Sequence, residues 1–206
     1  RAQMDARVER DLQSIRGLRG EAVGLLTTFV EESPREAPEM PEALLRLGEL
    51  KWEVEREAFV ERFKAWEATP MARRGPPPEP DFGPSRQLFG RVLKDYPRFG
   101  DYDLALYVDG FLATEQGRQE EAVERFDRIL REHPRSRFVP DAHMARGEYL
   151  FSTKNDYVGA LGEYDEVLKF KGTELAGLAL FKSAWCLWRL GRNDEAVRRF
   201  VSVFEV

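Results

Sequence analysis

The second half of the chain repeats one pattern of small, aromatic and aliphatic positions three times. In each copy an alanine is followed by an aromatic residue four positions later and by an aliphatic residue three positions after that. Positions three and four apart lie on one side of an α-helix, so each copy predicts an amphipathic helix with one apolar face. The copies are Ala122, Phe126 and Ile129; Ala160, Tyr164 and Val167; and Ala196, Phe200 and Val203.

Another helix precedes each of these copies. The three alanines are 38 and 36 residues apart, which leaves room for a preceding helix and two turns in each interval. Leucine, methionine and small residues recur at helical spacing in those intervals. We therefore predict first helices at Leu104 to Glu115, Ala142 to Phe151 and Leu178 to Arg189.

Small residues mark the place where the two helices of each predicted pair approach. Gly110, Gly147 and Ala184 occupy the same position in the three first helices. The lack of a large side chain there lets the second helix come close. Gly117 and Gly191 follow first helices, which is a typical place for glycine.

This pattern resembles the tetratricopeptide repeat family, whose repeat is about 34 residues long. The resemblance implies an all-α fold, a right-handed α-solenoid of antiparallel helix pairs in which first helices line a concave groove. There are two departures. The large aromatic residue usual early in the first helix is replaced by Leu106, His143 and Leu180, and the stretch from 147 to 160 is one residue longer. The matching positions are Gly110, Gly117, Ala122, Phe126 and Pro134; Gly147, Tyr157, Ala160 and Tyr164; and Ala184, Leu187, Gly191, Ala196 and Phe200.

The same pattern extends upstream in a less regular form. Residues 44 to about 67 predict a long first helix, and residues 85–96 predict its second helix. Before them, Glu21 to Phe29 resembles another second helix, with Met4 to Ile15 as its partner. We therefore predict a single array over residues 1–206, and we expect it to be a fragment of a longer protein. The predicted repeats are 3–36, 39–97, 103–136, 141–172 and 177–206, the last of them incomplete.

A proline-rich insert interrupts the second predicted repeat at residues 69–84. It holds six prolines, which forbid an α-helix. We interpret it as a surface loop within the repeat. The alternative is a polyproline II ligand, because Pro77-Pro78-Glu79-Pro80 follows Arg73 and Arg74.

Composition narrows the classes of partner. The net charge of −5 argues against nucleic acid, whose phosphates require a surplus of lysine and arginine. The sequence contains no run of about 18 apolar residues and predicts no membrane span. One cysteine, Cys186, excludes a disulfide within this sequence.

The residues that most often carry chemistry have structural interpretations here. His133 stands before Pro134 at a helix end, and His143 lies on a helix face at a packing position. Cys186 lies at a position where the family holds a small buried residue. No phosphate loop, dinucleotide fingerprint, nucleophile elbow or zinc motif occurs in the sequence. We predict no catalytic, cofactor-binding or metal-binding residues, and no enzymatic activity.

The family register instead points to a partner-binding groove on the first helices. Aromatic, methionine and arginine side chains anchor protein interfaces, and such grooves accept helices or extended peptides. The alternative for each aromatic residue is packing inside the superhelix or against a neighbouring repeat. The predicted groove residues are Trp52, Tyr107, Phe111, Met144, Phe151, Phe181, Trp185, Trp188 and Arg189.

The resemblance implies a scaffold that binds protein or peptide partners. The junction from Pro134 to Ala142 resembles those of bacterial envelope proteins, namely the outer-membrane assembly lipoproteins and the Tol-Pal coordinator group. That likeness implies a cell-envelope or motility-type complex on the periplasmic side, with the cytoplasm as the alternative. A second interpretation of function is a docking or regulatory segment of a longer enzyme or signalling protein. The oligomeric state stays open.

Overall fold

Every regular element in the described part of the chain is helical. The computed structural model describes residues 2–205, which form nine α-helices and three short helical turns. The predicted all-α fold of tandem helix pairs is confirmed. The helices are α1 (Ala2–Glu32), α2 (Met40–Ala68), α3 (Gly83–Asp95), α4 (Tyr102–Glu115), α5 (Gln119–Glu132), α6 (Val139–Tyr149), α7 (Tyr157–Val167), α8 (Ala176–Arg189) and α9 (Asn193–Ser202).

The chain divides into two compact units, Arg1–Ala105 and Leu106–Val206. In the first unit, α2 packs against both α1 and α3. In the second unit, α6 pairs with α7 and α8 pairs with α9, while α5 contacts α6 and α7 contacts α8. Within each unit these helices contact their neighbours in sequence, as expected of tandem repeats.

Glycine allows the close approach of paired helices, as the sequence predicts. A Cβ on Gly147 would lie 2.5 Å from Cε1 of Tyr164, and one on Gly110 would lie 3.1 Å from Cζ of Phe126. The first unit has the same contact, since a Cβ on Gly48 would lie 2.9 Å from Cζ of Phe89. In all three pairs the edge of an aromatic ring on the second helix lies against the glycine of the first.

The extra residue between Gly147 and Ala160 forms a wider helical turn. Residues Leu150–Lys154 form a π-helical turn at the end of α6, which accommodates one residue more than an α-helical turn would. The turn ends at Asn155, whose backbone is left-handed with φ of 55°. Gly117 and Gly191 have the same left-handed backbone in the repeats before and after, with φ of 71° and 75°. Asparagine tolerates this conformation better than most residues with a side chain.

The predicted helix pair within residues 3–36 is wrong. Residues 2–32 form one continuous helix, so Met4 to Ile15 does not fold back on Glu21 to Phe29. The segment between them contains Gly17 and Gly20 but no proline. Each glycine weakens a helix by about 1 kcal/mol, which is too little to stop it. Proline first appears at Pro34, after the helix has ended.

The proline-rich insert is an ordered strap along α2. Its only regular element is a 3₁₀ turn at Met71–Arg73, and α3 begins at Gly83 with Pro84 in its first turn. Nε1 of Trp66 donates to the carbonyl oxygen of Gly75 at 2.7 Å, and the Arg74 guanidinium lies 4.7 Å from the Trp66 ring centre. These contacts support the surface-loop interpretation over a projecting ligand.

Candidate partner-binding face

Four aromatic side chains meet at the α8–α9 pair. We call Phe181, Trp185, Trp188 and Phe200 the aromatic cluster. The centre of the Trp185 ring lies 5.3 Å from that of Trp188, 5.7 Å from Phe200 and 6.2 Å from Phe181. These edge-to-face contacts are favourable geometries for aromatic pairs. Trp185 is therefore the centre of the cluster.

The cluster continues towards the π-helical turn through a basic side chain. The guanidinium of Arg189 lies 5.6 Å from the ring centres of both Trp188 and Tyr157. Tyr157 in turn packs its edge against Phe151 at 5.3 Å between ring centres. Of the predicted groove residues, the structure thus brings Phe151, Phe181, Trp185, Trp188 and Arg189 into one continuous surface.

The repeat register explains which of these side chains stay exposed. Positions 111, 148 and 185 are equivalent, being 37 residues apart. Phe111, the side chain of Glu148 and Trp185 are each 37% exposed. The first two belong to repeats that another repeat follows, so this position stays partly exposed there even though the next repeat packs beside it. Trp188 lies one turn further along α8 and is 50% exposed.

Two predicted groove residues have other roles. The assignment of Met144 to the groove is wrong, because its side chain is only 6% exposed and packs in a core with Tyr164, Ala179 and Cys186. Tyr107, at the equivalent position in the preceding repeat, is half-buried. Its ring stacks on Phe138 with 4.3 Å between ring centres. Both side chains lie where the next helix pair packs.

Phe181 occupies the same register position as Tyr107 and Met144. It is 41% exposed, and its ring centre lies 5.8 Å from that of Phe200. Trp52 lies on α2 in the other unit, where the Arg56 guanidinium is 5.9 Å from its ring centre. Its assignment to a groove stays a prediction.

A polar bridge lies at Glu148, the register position equivalent to Trp185. The hydroxyl of Tyr164 donates to Oε1 of Glu148 at 2.7 Å, and Nζ of Lys182 donates to Oε2 of the same carboxylate at 2.7 Å. Burial and the neighbouring carboxylate raise the pKa of Tyr164, so it remains a hydrogen-bond donor. Glu148 therefore links α6 to α7 and to α8 of the next repeat.

His143 and Cys186 have the structural roles that the sequence predicts. Nδ1 of His143 lies 2.8 Å from Oε2 of Glu163, which ties α6 to α7. Cys186 is fully buried, and this burial raises the pKa of its thiol to about 12. A buried thiol that stays protonated is a poor nucleophile.

The described residues offer neither a metal cluster nor a membrane helix. Among the side chains that the structure describes, at residues 7–8 and 10–204, histidine, cysteine, aspartate and glutamate nowhere form a group of three or more that could hold a metal ion. Over the same range, the helices are too short or too polar to cross a bilayer.

Sequence reasoning missed three contributors to the face. The ring of Tyr157 contacts Arg189, and Lys182 donates a hydrogen bond to Glu148. The ring of Phe200 packs against Trp185. Phe200 and Tyr157 stood in the repeat pattern, but the pattern treats them as packing positions. The structure shows that Phe200 and Tyr157 are only partly buried and contact residues of the face.

Comparison with known proteins supports the repeat assignment. Residues 110–174 match one family model described as Tetratricopeptide repeat, and residues 178–204 match another with the same description. Both segments lie in the second unit and include the three second helices with the alanine–aromatic pattern. No curated protein sequence matches the chain. The predicted tetratricopeptide family is therefore confirmed for these segments.

Proposed function

We propose that this chain, which carries tetratricopeptide repeats within residues 110–204, is a non-catalytic scaffold that binds protein partners on its first-helix face. Repeats of this family generally mediate protein–protein interaction, and proteins built from them are typically non-catalytic. The centre of the proposed face is formed by Trp185, Trp188 and Arg189, with Phe151 and Phe111 at equivalent positions on earlier first helices.

The exposure of Trp185 is the observation that carries this proposal. Its register position is at least partly exposed in three successive repeats, two of which carry a following repeat. Large aromatic side chains usually lie in a core or in an interface, because their exposure to water is costly. A tryptophan at a position that neighbouring repeats leave partly exposed is therefore best explained by a partner that covers it.

The side chains around it indicate the chemistry of that partner. Trp185 and Trp188 offer flat apolar surface for an aromatic or aliphatic anchor. Arg189 adds a positive charge over the rings of Trp188 and Tyr157. A segment with an apolar anchor beside a carboxylate fits this arrangement, since arginine pairs strongly with carboxylates.

A peptide selection tests the proposal. Random peptides displayed on phage are selected on the immobilised chain, and the best binder is titrated against purified variants by fluorescence polarisation. Trp185→Ala and Trp188→Ala are expected to weaken binding at least about tenfold, as for interface anchors. Val158→Ala is the control, because Val158 is an exposed apolar residue on the second helix α7. Equal binding by all variants would show that the peptide does not bind at Trp185 and Trp188.

We extend this proposal to the cellular compartment in which the scaffold acts. The junction between Pro134 and Ala142 supports a bacterial cell-envelope or motility-type complex on the periplasmic side. The test is fractionation of the source organism with an antibody against the chain. Recovery in the periplasm or envelope supports this setting, whereas recovery in the cytoplasm favours the alternative compartment.

The second candidate is a docking or regulatory segment of a longer enzyme or signalling protein. The same exposed face favours it, since docking also needs a partner surface. The full-length gene decides between the two, because a catalytic domain in the same product supports docking and further repeats or a lipid-attachment signal support the scaffold.

A further inference from the structure

Glu148 and Lys182 tie two successive first helices together. Nζ of Lys182 on α8 donates to Oε2 of Glu148 on α6 at 2.7 Å. The other carboxylate oxygen of Glu148 accepts from the Tyr164 hydroxyl, so Glu148 is held by its own repeat while it holds the next one. Nζ of Lys182 also lies 5.7 Å from the ring centre of Phe151, within the range of a cation–π contact. Lys182 therefore contacts both a carboxylate and an aromatic ring of the preceding repeat.

These contacts join parts of the proposed face across a repeat boundary. Phe151 belongs to the π-helical turn, whereas Trp185 lies on α8 three residues after Lys182 and on the same side of that helix. A similar contact lies two turns further along α8, where the Arg189 guanidinium is 5.6 Å from the ring centre of Tyr157. A partner that contacts aromatic side chains of both repeats needs them at a fixed separation, and these contacts connect the two repeats.

The same repeat boundary has an ion pair on the other layer of helices. Arg199 on α9 pairs with Asp165 on α7, both of them second helices. Each of the two pairs joins residues 34 positions apart. The side chains of Lys182 and Glu148 are 26% and 37% exposed, and those of Arg199 and Asp165 are 29% and 42% exposed. The two pairs are therefore matched in sequence span and exposure, and they differ in the helix layer that they join.

The repeat register shows that packing of successive first helices does not require an ion pair at this position. At the preceding boundary, the positions equivalent to Glu148 and Lys182 hold Phe111 and Ala145, which cannot form one. The repeats still meet there, because Tyr107 stacks on Phe138. Partly exposed ion pairs also contribute little to folding stability, since water and salt screen them. The Glu148–Lys182 pair is thus better explained by the orientation that it imposes than by the stability that it adds.

We propose that Lys182 is a positioning residue for partner binding, an inference that rests on the proposed first-helix face. Its contacts with Glu148 and Phe151 fix α8 relative to α6, and thereby the separation of Phe151 from Trp185. Each repeat of an array contacts only its neighbours, so the contacts at one boundary set the angle between two repeats. A face that is already ordered before binding loses less conformational entropy when the partner binds. Loss of Lys182 therefore weakens binding although Lys182 itself need not touch the partner.

Fluorescence polarisation tests this role with a fluorescein-labelled peptide selected on the wild-type chain from a random phage library. Lys182→Met keeps the apolar stem but removes the charge, and it should weaken binding at least about threefold. Glu148→Gln, which can still accept from Tyr164, should weaken binding similarly. Lys182→Arg keeps both contacts and should bind like wild type. Arg199→Met is the matched control, which should also bind like wild type. Urea denaturation verifies that every variant is folded under the binding conditions.

Trp185→Ala, measured in parallel, separates this inference from the proposed face. If Trp185→Ala loses binding while Lys182→Met binds like wild type, the face stands and the positioning role is overturned. Equal weakening by Lys182→Met and Arg199→Met would also overturn it, because the effect would then not depend on the helix layer. Undiminished binding by Trp185→Ala would refute the face itself, and the positioning role with it.

Discussion

Gly147 of α6 and Tyr164 of α7 are in such close contact that residue 147 has no room for a side chain. A Cβ there would lie 2.5 Å from Cε1 of the Tyr164 ring, which is fully buried. The ring cannot move aside easily, because its hydroxyl donates to Glu148 at 2.7 Å. This contact holds the two helices of the repeat together and helps to position Glu148, which is equivalent to Trp185 in the repeat register.

The first prediction concerns this contact. Gly147→Ala is expected to destabilise the protein by about 1–3 kcal/mol, the usual cost of overpacking a filled core. Gly162→Ala is the control, since Gly162 lies in the middle of α7 with nothing within 4 Å of its Cβ position. It should stabilise by up to about 1 kcal/mol through helix propensity. Urea denaturation measures both, and equal effects would contradict the account.

The second prediction concerns the left-handed residue after the π-helical turn. Asn155→Gly should be nearly neutral, whereas Asn155→Val should cost about 1–2 kcal/mol, because a β-branched residue resists a φ of 55°. Both variants lose the hydrogen bond from the Tyr157 hydroxyl to Asn155, so that bond does not affect the comparison. Thermal denaturation of the two variants is the measurement. Equal melting temperatures would show that backbone conformation is not what selects Asn155.

These two positions show what the sequence can reveal. Gly110 and Gly147 could be predicted as contact positions because glycine within a helix is costly unless something needs the space. The longer 147-to-160 stretch was visible too, but its π-helical form was not, since an extra residue can equally extend a loop. The exposed tryptophans could be placed on the first helix by register alone.

Other features depend on tertiary packing and were not predictable. The segments Met4 to Ile15 and Glu21 to Phe29 have the same apolar spacing whether they form one helix or two. Met144 and Trp185 both lie on first helices, and only the contacts of the following helices decide that one is buried and the other exposed. Local pattern therefore predicts the helices better than it predicts which of their faces is covered.

The third prediction concerns pH and Glu55. Its carboxylate accepts hydrogen bonds from the backbone N–H of Ser85 at 3.1 Å and from the Ser85 hydroxyl at 2.6 Å. Burial raises the pKa of Glu55 above its ordinary value, and the bonds from Ser85 oppose this only in part. The folded state thus holds this proton more tightly than the unfolded state. Its contribution to stability is full below the unfolded pKa and is lost as pH rises through the folded pKa.

The test compares wild type with Glu55→Gln, in which position 55 cannot titrate. As pH rises from about 4 to about 7, the free energy of unfolding of the wild type should fall relative to that of the variant. Urea denaturation at several pH values measures the difference. A wild type that gains stability relative to Glu55→Gln over this range would show that the pKa of Glu55 is lowered.

The fourth prediction concerns Cys186. Because the thiol is buried and its pKa is raised to about 12, a thiol reagent near pH 8 should modify it far more slowly in the native protein than in urea. The control is a cysteine introduced by Val158→Cys, at an exposed position on α7, which should react at the same rate in both states. Rapid native labelling of Cys186 would contradict its place in the core.

The central claim is that partners bind the first-helix face of the repeats, and hydrogen–deuterium exchange in the presence of a selected peptide tests it most directly. The account predicts slower exchange at the end of α8 around residues 185–189 and in the π-helical turn at residues 150–154. It predicts no change in the exchange of the backbone amides of α1 or α7. Protection confined to α1, or to α9 with α8 unchanged, would place the partner elsewhere and contradict the account.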